Sequence, residues 1–67
     1  MNTPYEISLR LGKYAIRKEE SSYLLARAVA CLELGDFNSA NSLLSRAAQN
    51  ETIATNLLAE IGELRYA

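Results

Sequence analysis

The sequence predicts an all-α protein, a small bundle of three to four helices that includes one antiparallel helix pair. Apolar residues recur three and four positions apart along most of the chain, which is the spacing that places them on one face of a helix. The 67 residues are 49% hydrophobic, with three glycines and one proline. This composition is typical of a compact helical protein, and we expect residues 1–67 to form a single domain.

The first helix is predicted over residues 4–18 and begins at a capping box. Thr3 can accept a hydrogen bond from the amide of Glu6, the Glu6 side chain can reach back to Thr3, and Pro4 takes the first helical position. Apolar residues fall on two nearly opposite sides of this helix, so one side can serve the chain's own core and the other is left over. The first side carries Tyr5, Leu9, Gly12 and Ile16, and the second carries Ile7, Leu11 and Tyr14.

A second helix is predicted over residues 22–34. Ser21 and Ser22 favour a break before it, because serine is a good N-cap residue, although the pattern leaves open one continuous helix. At the far end, Gly35 can adopt the left-handed conformation that ends many helices, and Asp36 can cap the next helix. A loop this short predicts an antiparallel helix pair. The main apolar face of the second helix is Leu25, Ala28, Val29 and Leu32.

Two further helices are predicted over residues 37–49 and 52–65, with Asn50 or Thr52 as the cap between them. Each has one apolar face, so each is suited to packing against a neighbour. The faces are Phe37, Ala40, Leu43, Leu44, Ala47 and Ala48 in the third helix, and Ile53, Ala54, Leu57, Leu58, Ile61 and Leu64 in the fourth.

Catalytic chemistry is not indicated by the sequence. There is no histidine and only one cysteine, so neither a zinc framework nor an intrachain disulfide is predicted. The carboxylates are scattered over predicted solvent faces, and Cys31 lies on an apolar face as a packing thiol does. We expect no enzymatic activity, no cofactor and no metal. No apolar run approaches the length of a membrane span and no signal pattern is visible, which favours a cytoplasmic protein.

Three basic residues, Arg10, Lys13 and Arg17, share one face of the first helix. Such a stripe can contact phosphates, but a solvated face with Glu6 paired to Arg10 is the favoured interpretation. The formal net charge of the chain is −1. Direct binding to nucleic acid is therefore a minor alternative.

A protein-binding role is the favoured interpretation. A core of this size is marginal on its own, and the chain carries more apolar faces than one small core needs. We therefore expect a homo-oligomer, a protein partner, or both. The candidate partner-binding residues are those that the core does not obviously require: Ile7, Leu11, Tyr14, Leu24, Cys31 and Leu43.

Residues 24–48 resemble the second half of the tetratricopeptide signature, in which a glycine-acid-aromatic turn is followed by alanines at fixed helical offsets. Gly35, Phe37, Ala40, Leu44 and Ala47 occupy those places. The first helix does not match a preceding repeat, so this resemblance implies a tetratricopeptide-like antiparallel helix pair and not a solenoid.

The same region, taken with its continuation over roughly residues 23–67, is also similar to the AraC negative regulator (ANR) family, small helical bacterial proteins from enteric pathogens and related organisms. The family pattern is an alanine-rich helix, a Glu-x-Gly-x-aromatic turn, a second alanine-rich helix, then an asparagine and a closing helix. Leucines stand here where the family usually has tryptophans, and the arginine-to-cysteine ending is reduced to Arg65. The matching residues are Ala28, Ala30, Glu33, Gly35, Phe37, Ala40, Leu43, Leu44, Ala47, Ala48, Asn56 and Leu57.

This resemblance implies a repressor in virulence regulation that makes no DNA contacts. It would bind an AraC-type transcriptional activator and interfere with the activator's dimerisation or its hold on DNA. The alternatives are a generic helical adaptor, an antitoxin or a phage-encoded inhibitor, all acting by protein contact, and then a small nucleic-acid-binding protein.

Overall fold

The computed structural model describes residues 3–66 and shows two long antiparallel helices joined by a tight turn. Helix α1 spans Thr3–Glu33 and helix α2 spans Phe37–Arg65. Together they form a rod with extents of 52 × 13 × 11 Å. The all-α prediction is confirmed, but the described residues form two helices where three to four were predicted.

The predicted breaks near Ser21 and Asn50 are wrong, because both residues lie inside continuous helices and are buried, at 1% and 7% exposure. Asn50 Oδ1 accepts a hydrogen bond from Arg17 Nη1 at 3.0 Å, and Asn50 Nδ2 donates to the Arg46 carbonyl oxygen at 3.2 Å. Thr52 Oγ1 donates to the Ala48 carbonyl oxygen at 3.1 Å within the helix. Such polar side chains favour caps only when they bond to free backbone amides. Here Asn50 and Thr52 bond elsewhere, and the buried Ser21 hydroxyl has no hydrogen-bond partner among the described residues.

The two helices meet along inward-facing positions that alternate at steps of three and four residues, which we call the seam. This repeat of seven residues, 3.5 per turn, is the spacing of a coiled coil, in which the helices keep one narrow stripe in contact by winding around each other. The seam of α1 is Ile7, Arg10, Tyr14, Arg17, Ser21, Leu24, Ala28 and Cys31, and that of α2 is Ala40, Leu43, Ala47, Asn50, Ala54, Leu57, Ile61 and Leu64.

The best-buried part of the seam lies near the turn, where Leu24, Ala28, Leu43 and Ala47 form one cluster with Cys31 packed against it. Alanines at two further buried positions of α2, Ala40 and Ala54, let the two helices approach closely. Because so many seam residues are small or polar, this core buries few large apolar side chains: Leu24, Leu43 and Ile61.

The narrow seam also decides which apolar side of α1 faces inward. Ile7 and Tyr14 lie half-buried on the seam, whereas Tyr5, Leu9 and Ile16 are exposed. Ile7 and Tyr14, two of the candidate partner-binding residues, therefore pack against α2, whereas the side with Tyr5, Leu9 and Ile16 is open to solvent.

The turn has the predicted structure. Gly35 has a φ of +77°, and the Gly35 amide donates to the Leu32 carbonyl oxygen at 3.1 Å. The Asp36 amide donates to the Cys31 carbonyl oxygen at 2.8 Å, which completes a Schellman motif. Asp36 Oδ1 accepts from the Ser39 amide at 3.1 Å and so caps α2. Hydrogen bonding by Ser39, through its hydroxyl and its amide, lowers the pKa of the Asp36 carboxyl.

We expect Gly35→Val to lower the free energy of unfolding by more than about 1 kcal/mol, because a β-branched residue is penalised at positive φ. No heavy atom lies within 4 Å of a Cβ added at Gly35, so the cost comes from the backbone and not from a clash. Gly35→Asn is the control, since asparagine tolerates this conformation better. Urea titrations followed by circular dichroism measure both variants, and equal stability of the two would contradict a left-handed residue at this position.

Candidate functional site

Residues suited to catalysis or metal binding are not brought together in the part of the chain that the structure describes. Across residues 3–66, no group of three or more cysteine, aspartate or glutamate side chains could hold a metal ion. Cys31 is half-buried against the core cluster, at the edge of an open hollow of about 380 Å³ near the turn. Arg27, Asp36 and Ser39 also line this hollow. The thiol therefore belongs mainly to the packing of the seam.

The basic stripe of α1 is largely engaged within the chain. Arg10 Nε lies 3.4 Å from Glu60 Oε2, and Arg10 Nη1 also donates to the Glu6 carbonyl oxygen at 3.2 Å. Arg17 donates to Asn50 across the seam. Two of the three stripe residues thus connect α1 to α2.

The six candidate partner-binding residues are divided between the seam and the surface. Five of them, Ile7, Tyr14, Leu24, Cys31 and Leu43, lie on the seam, and Leu24 and Leu43 are buried there. Leu11 is exposed. Partner binding by these residues stays a prediction, and for the two buried leucines it would require the hairpin to open.

One side of the rod is apolar along most of its length, and an ion pair marks its position. Lys18 Nζ lies 2.9 and 3.1 Å from the two carboxylate oxygens of Glu51, near the middle of the rod. The hydrogen bond and charge of Glu51 raise the pKa of Lys18. The hydrogen bond from Lys18 lowers the pKa of Glu51. This pair joins the two helices across one side of the seam.

Residues seven apart on such helices lie on the same side, so steps of seven from Lys18 and Glu51 define the rest of this side. The steps give three pairs, each with one residue of α1 and one residue of α2 at the same height along the rod. They are Leu11 with Leu58, Leu25 with Leu44, and Leu32 with Phe37. With the ion pair counted as one level, successive levels are about 10 Å apart along the rod. We call these three apolar pairs, the ion pair and the adjacent Val29 the apolar flank.

Every apolar member of this flank is exposed, by between 40% and 63% of its surface. The opposite side of the seam is different, since the same steps of seven from its ion pair, Arg46 with Glu20 at 3.8 Å, reach mostly charged or polar residues. They are Glu6, Lys13, Arg27, Leu34, Ser39, Ile53 and Glu60. The hairpin therefore has one charged side and one apolar side. Of these two sides, the apolar one is the candidate interface.

A second exposed apolar surface runs along the outside of α1, away from α2, and we call it the outer stripe. It consists of Tyr5, Leu9, Ile16 and Tyr23, all of them exposed. The Arg27 guanidinium lies over the Tyr23 ring at 5.7 Å from its centroid. Two tyrosines and two aliphatic residues on one helix face have the composition of a protein-binding surface.

The apolar flank continues into an open groove of about 740 Å³ between the ends of the two helices. Its walls are Thr3, Pro4, Ile7, Ser8, Leu11, Leu64 and Arg65. The groove is lined by side chains without a cluster of titratable groups, so it extends the apolar surface and adds no chemistry of its own.

The sequence pattern assigns six of the flank residues to packing faces, and the structure exposes all of them: Leu25, Val29, Leu32, Phe37, Leu44 and Leu58. The signal that could have found them is the repeat of seven residues: leucines at 11, 25 and 32 share a register with Lys18, and Phe37, Leu44 and Leu58 share one with Glu51. A second apolar stripe in seven-residue register, beside a seam rich in alanine, indicates a second helix contact.

Comparisons with protein-family models, curated proteins and solved structures gave no match to this chain. Within the described residues, neither helix is long and apolar enough to cross a membrane.

Proposed function

We propose that this chain is a small non-enzymatic regulatory protein of the cytoplasm that binds an AraC-type transcriptional activator and represses it by protein contact. The observation that carries the proposal is the outer stripe, since a helix face with Tyr5, Leu9, Ile16 and Tyr23 in solvent is suited to bind another protein. The resemblance to AraC negative regulators supports the choice of target.

The internal use of the basic residues supports protein contact over contact with nucleic acid. Arg10 and Lys18 pair with carboxylates of α2, and Arg17 bonds to Asn50. A protein that binds phosphates gains affinity from cations that are free to neutralise them. The energy of binding is therefore expected to come from a few apolar and aromatic anchors.

A reporter assay tests this proposal. Each AraC-type activator of the source organism is expressed with its own promoter fused to a reporter gene, with and without this chain. We expect repression of at least one activator, and we expect Ile16→Ser and Tyr23→Ser each to weaken repression by about tenfold or more, because truncation of an interface anchor typically costs at least 1–2 kcal/mol. Both residues are exposed, so circular dichroism should be unchanged.

Lys13→Ala is the matched control, because Lys13 lies on the same helix and is exposed. It should leave repression unchanged. Failure to repress any activator would overturn the target. Loss of repression in the Lys13 variant, with full activity in the Ile16 and Tyr23 variants, would overturn protein contact and favour the nucleic-acid alternative.

A further inference from the structure

We propose that a second copy of this chain covers the apolar flank, giving a four-helix dimer whose two-fold axis runs parallel to the rod, with both turns at the same end. This inference does not rest on the proposed function, because the flank and the outer stripe are separate surfaces. The outer stripe stays accessible in such a dimer.

The size of the flank fits a second copy. Its seven apolar side chains expose on the order of 600 Å² per chain, and the intervening surface brings the total near the ~800 Å² per partner of a standard interface. The flank also holds more large apolar side chains than the buried core, which within residues 3–66 has Leu24, Leu43 and Ile61. Covering the flank would supply the second layer that a two-helix hairpin lacks.

The central ion pair selects how the two copies face each other. A two-fold axis parallel to the rod places α1 of one copy on α2 of the other at the same level. Lys18 then faces the Glu51 side chain of the second copy, and Glu51 faces its Lys18, so the four charges alternate in sign. The apolar pairs meet in the same way: Leu25 of one copy faces Leu44 of the other, and Leu32 of one copy faces Phe37 of the other. All four levels are matched in one arrangement.

The reversed dimer, with the turns at opposite ends, does not match these levels. Centred on the ion pair, it places Lys18 on Lys18 and Glu51 on Glu51, which brings like charges together. In this arrangement Leu32 and Phe37 of one copy lie past Leu11 and Leu58 of the other copy, and they face its Pro4 and Arg65. If the two-fold axis instead lies midway between the ion pair and the level of Leu25 and Leu44, the ion pair of each copy is buried against Leu25 and Leu44 of the other. Removing charges from water against leucine side chains is unfavourable.

Sedimentation equilibrium of the purified chain tests the association. We expect a dimer at about 50 µM, and we expect Leu44→Glu to weaken the dimer at least a hundredfold, since two charges are then placed in each apolar interface. Ile53→Glu is the matched control, because Ile53 has nearly the same exposure as Leu44, 38% against 40%, but lies on the charged side. It should leave the dimer intact.

Leu11→Glu, at the other end of the flank, is a second variant in case Leu44→Glu fails to fold, and circular dichroism establishes which variants keep their helices. A wild-type monomer at about 500 µM would overturn the proposal. Equal weakening by Leu44→Glu and Ile53→Glu would also overturn it, because the association would then not use the apolar flank.

Distance measurement between spin labels tests the orientation. Asn38 lies on the exposed face of α2 just after the turn, so the variant Asn38→Cys with Cys31→Ala carries one label per chain near the turn. With both turns at one end, the two labels should be separated by roughly 20–30 Å, the width of a four-helix bundle plus the label arms. A distance near the 52 Å length of the rod would overturn the proposed orientation.

Discussion

Leu24→Ala is expected to cause the largest loss of stability among single substitutions in this chain. Leu24 has no exposed surface and lies in the middle of the cluster formed with Ala28, Leu43 and Ala47. Replacing a buried leucine by alanine removes its transfer free energy and leaves a cavity, at a cost of about 2–5 kcal/mol. A small hairpin has a free energy of unfolding at the low end of the range for proteins, so this loss is a large part of the total.

Thermal and urea unfolding followed by circular dichroism, at one fixed protein concentration, measure the effect, because association shifts the apparent stability with concentration. Leu34→Ala is the control. Leu34 is 85% exposed at the turn, so the same change in size should alter the free energy of unfolding by less than about 0.5 kcal/mol. If the two variants unfold alike, the seam around Leu24 does not hold the helices together.

The turn could be predicted from the sequence because its determinants are local. A glycine that can take a positive φ and an aspartate that can cap the following helix act within a few residues, and both act as expected at Gly35 and Asp36. The helix breaks could not be predicted in the same way. Ser21 and Asn50 have the side chains of good caps, and only the position of the opposite helix shows that they are inward-facing seam residues.

The candidate site was predicted only in outline, as a surplus of apolar faces. The sequence pattern selected Leu25, Ala28, Val29 and Leu32 as a core face, but of these only Ala28 lies on the seam, in line with the polar Ser21. Hydrophobicity alone chooses the wrong stripe, since both stripes have the same period. Small side chains let two helices of one hairpin approach closely, and the larger residues are then left on the flank.

This difference in size leads to the second large effect, which is expected for Ala47→Leu. Ala47 is buried at 3% exposure between the two helices, beside Leu24 and Leu43. There is no room for the longer side chain, so the helices must separate or the leucine must take an unfavourable rotamer. Such overpacking typically costs about 1–3 kcal/mol even though leucine is a good helix former and adds apolar surface.

Ala59→Leu is the matched control, because Ala59 is an exposed alanine in the same helix. The change in helix propensity is the same at both positions, so the difference between the two melting temperatures reports the packing at the seam. Separation of the helices would also move the two members of each flank pair apart. Ala47→Leu should therefore weaken the dimer as well as the fold, whereas Ala59→Leu should change neither. If Ala47→Leu stabilised the protein, the helices would have to be far enough apart at Ala47 to accommodate a leucine, and this would contradict close packing at the seam.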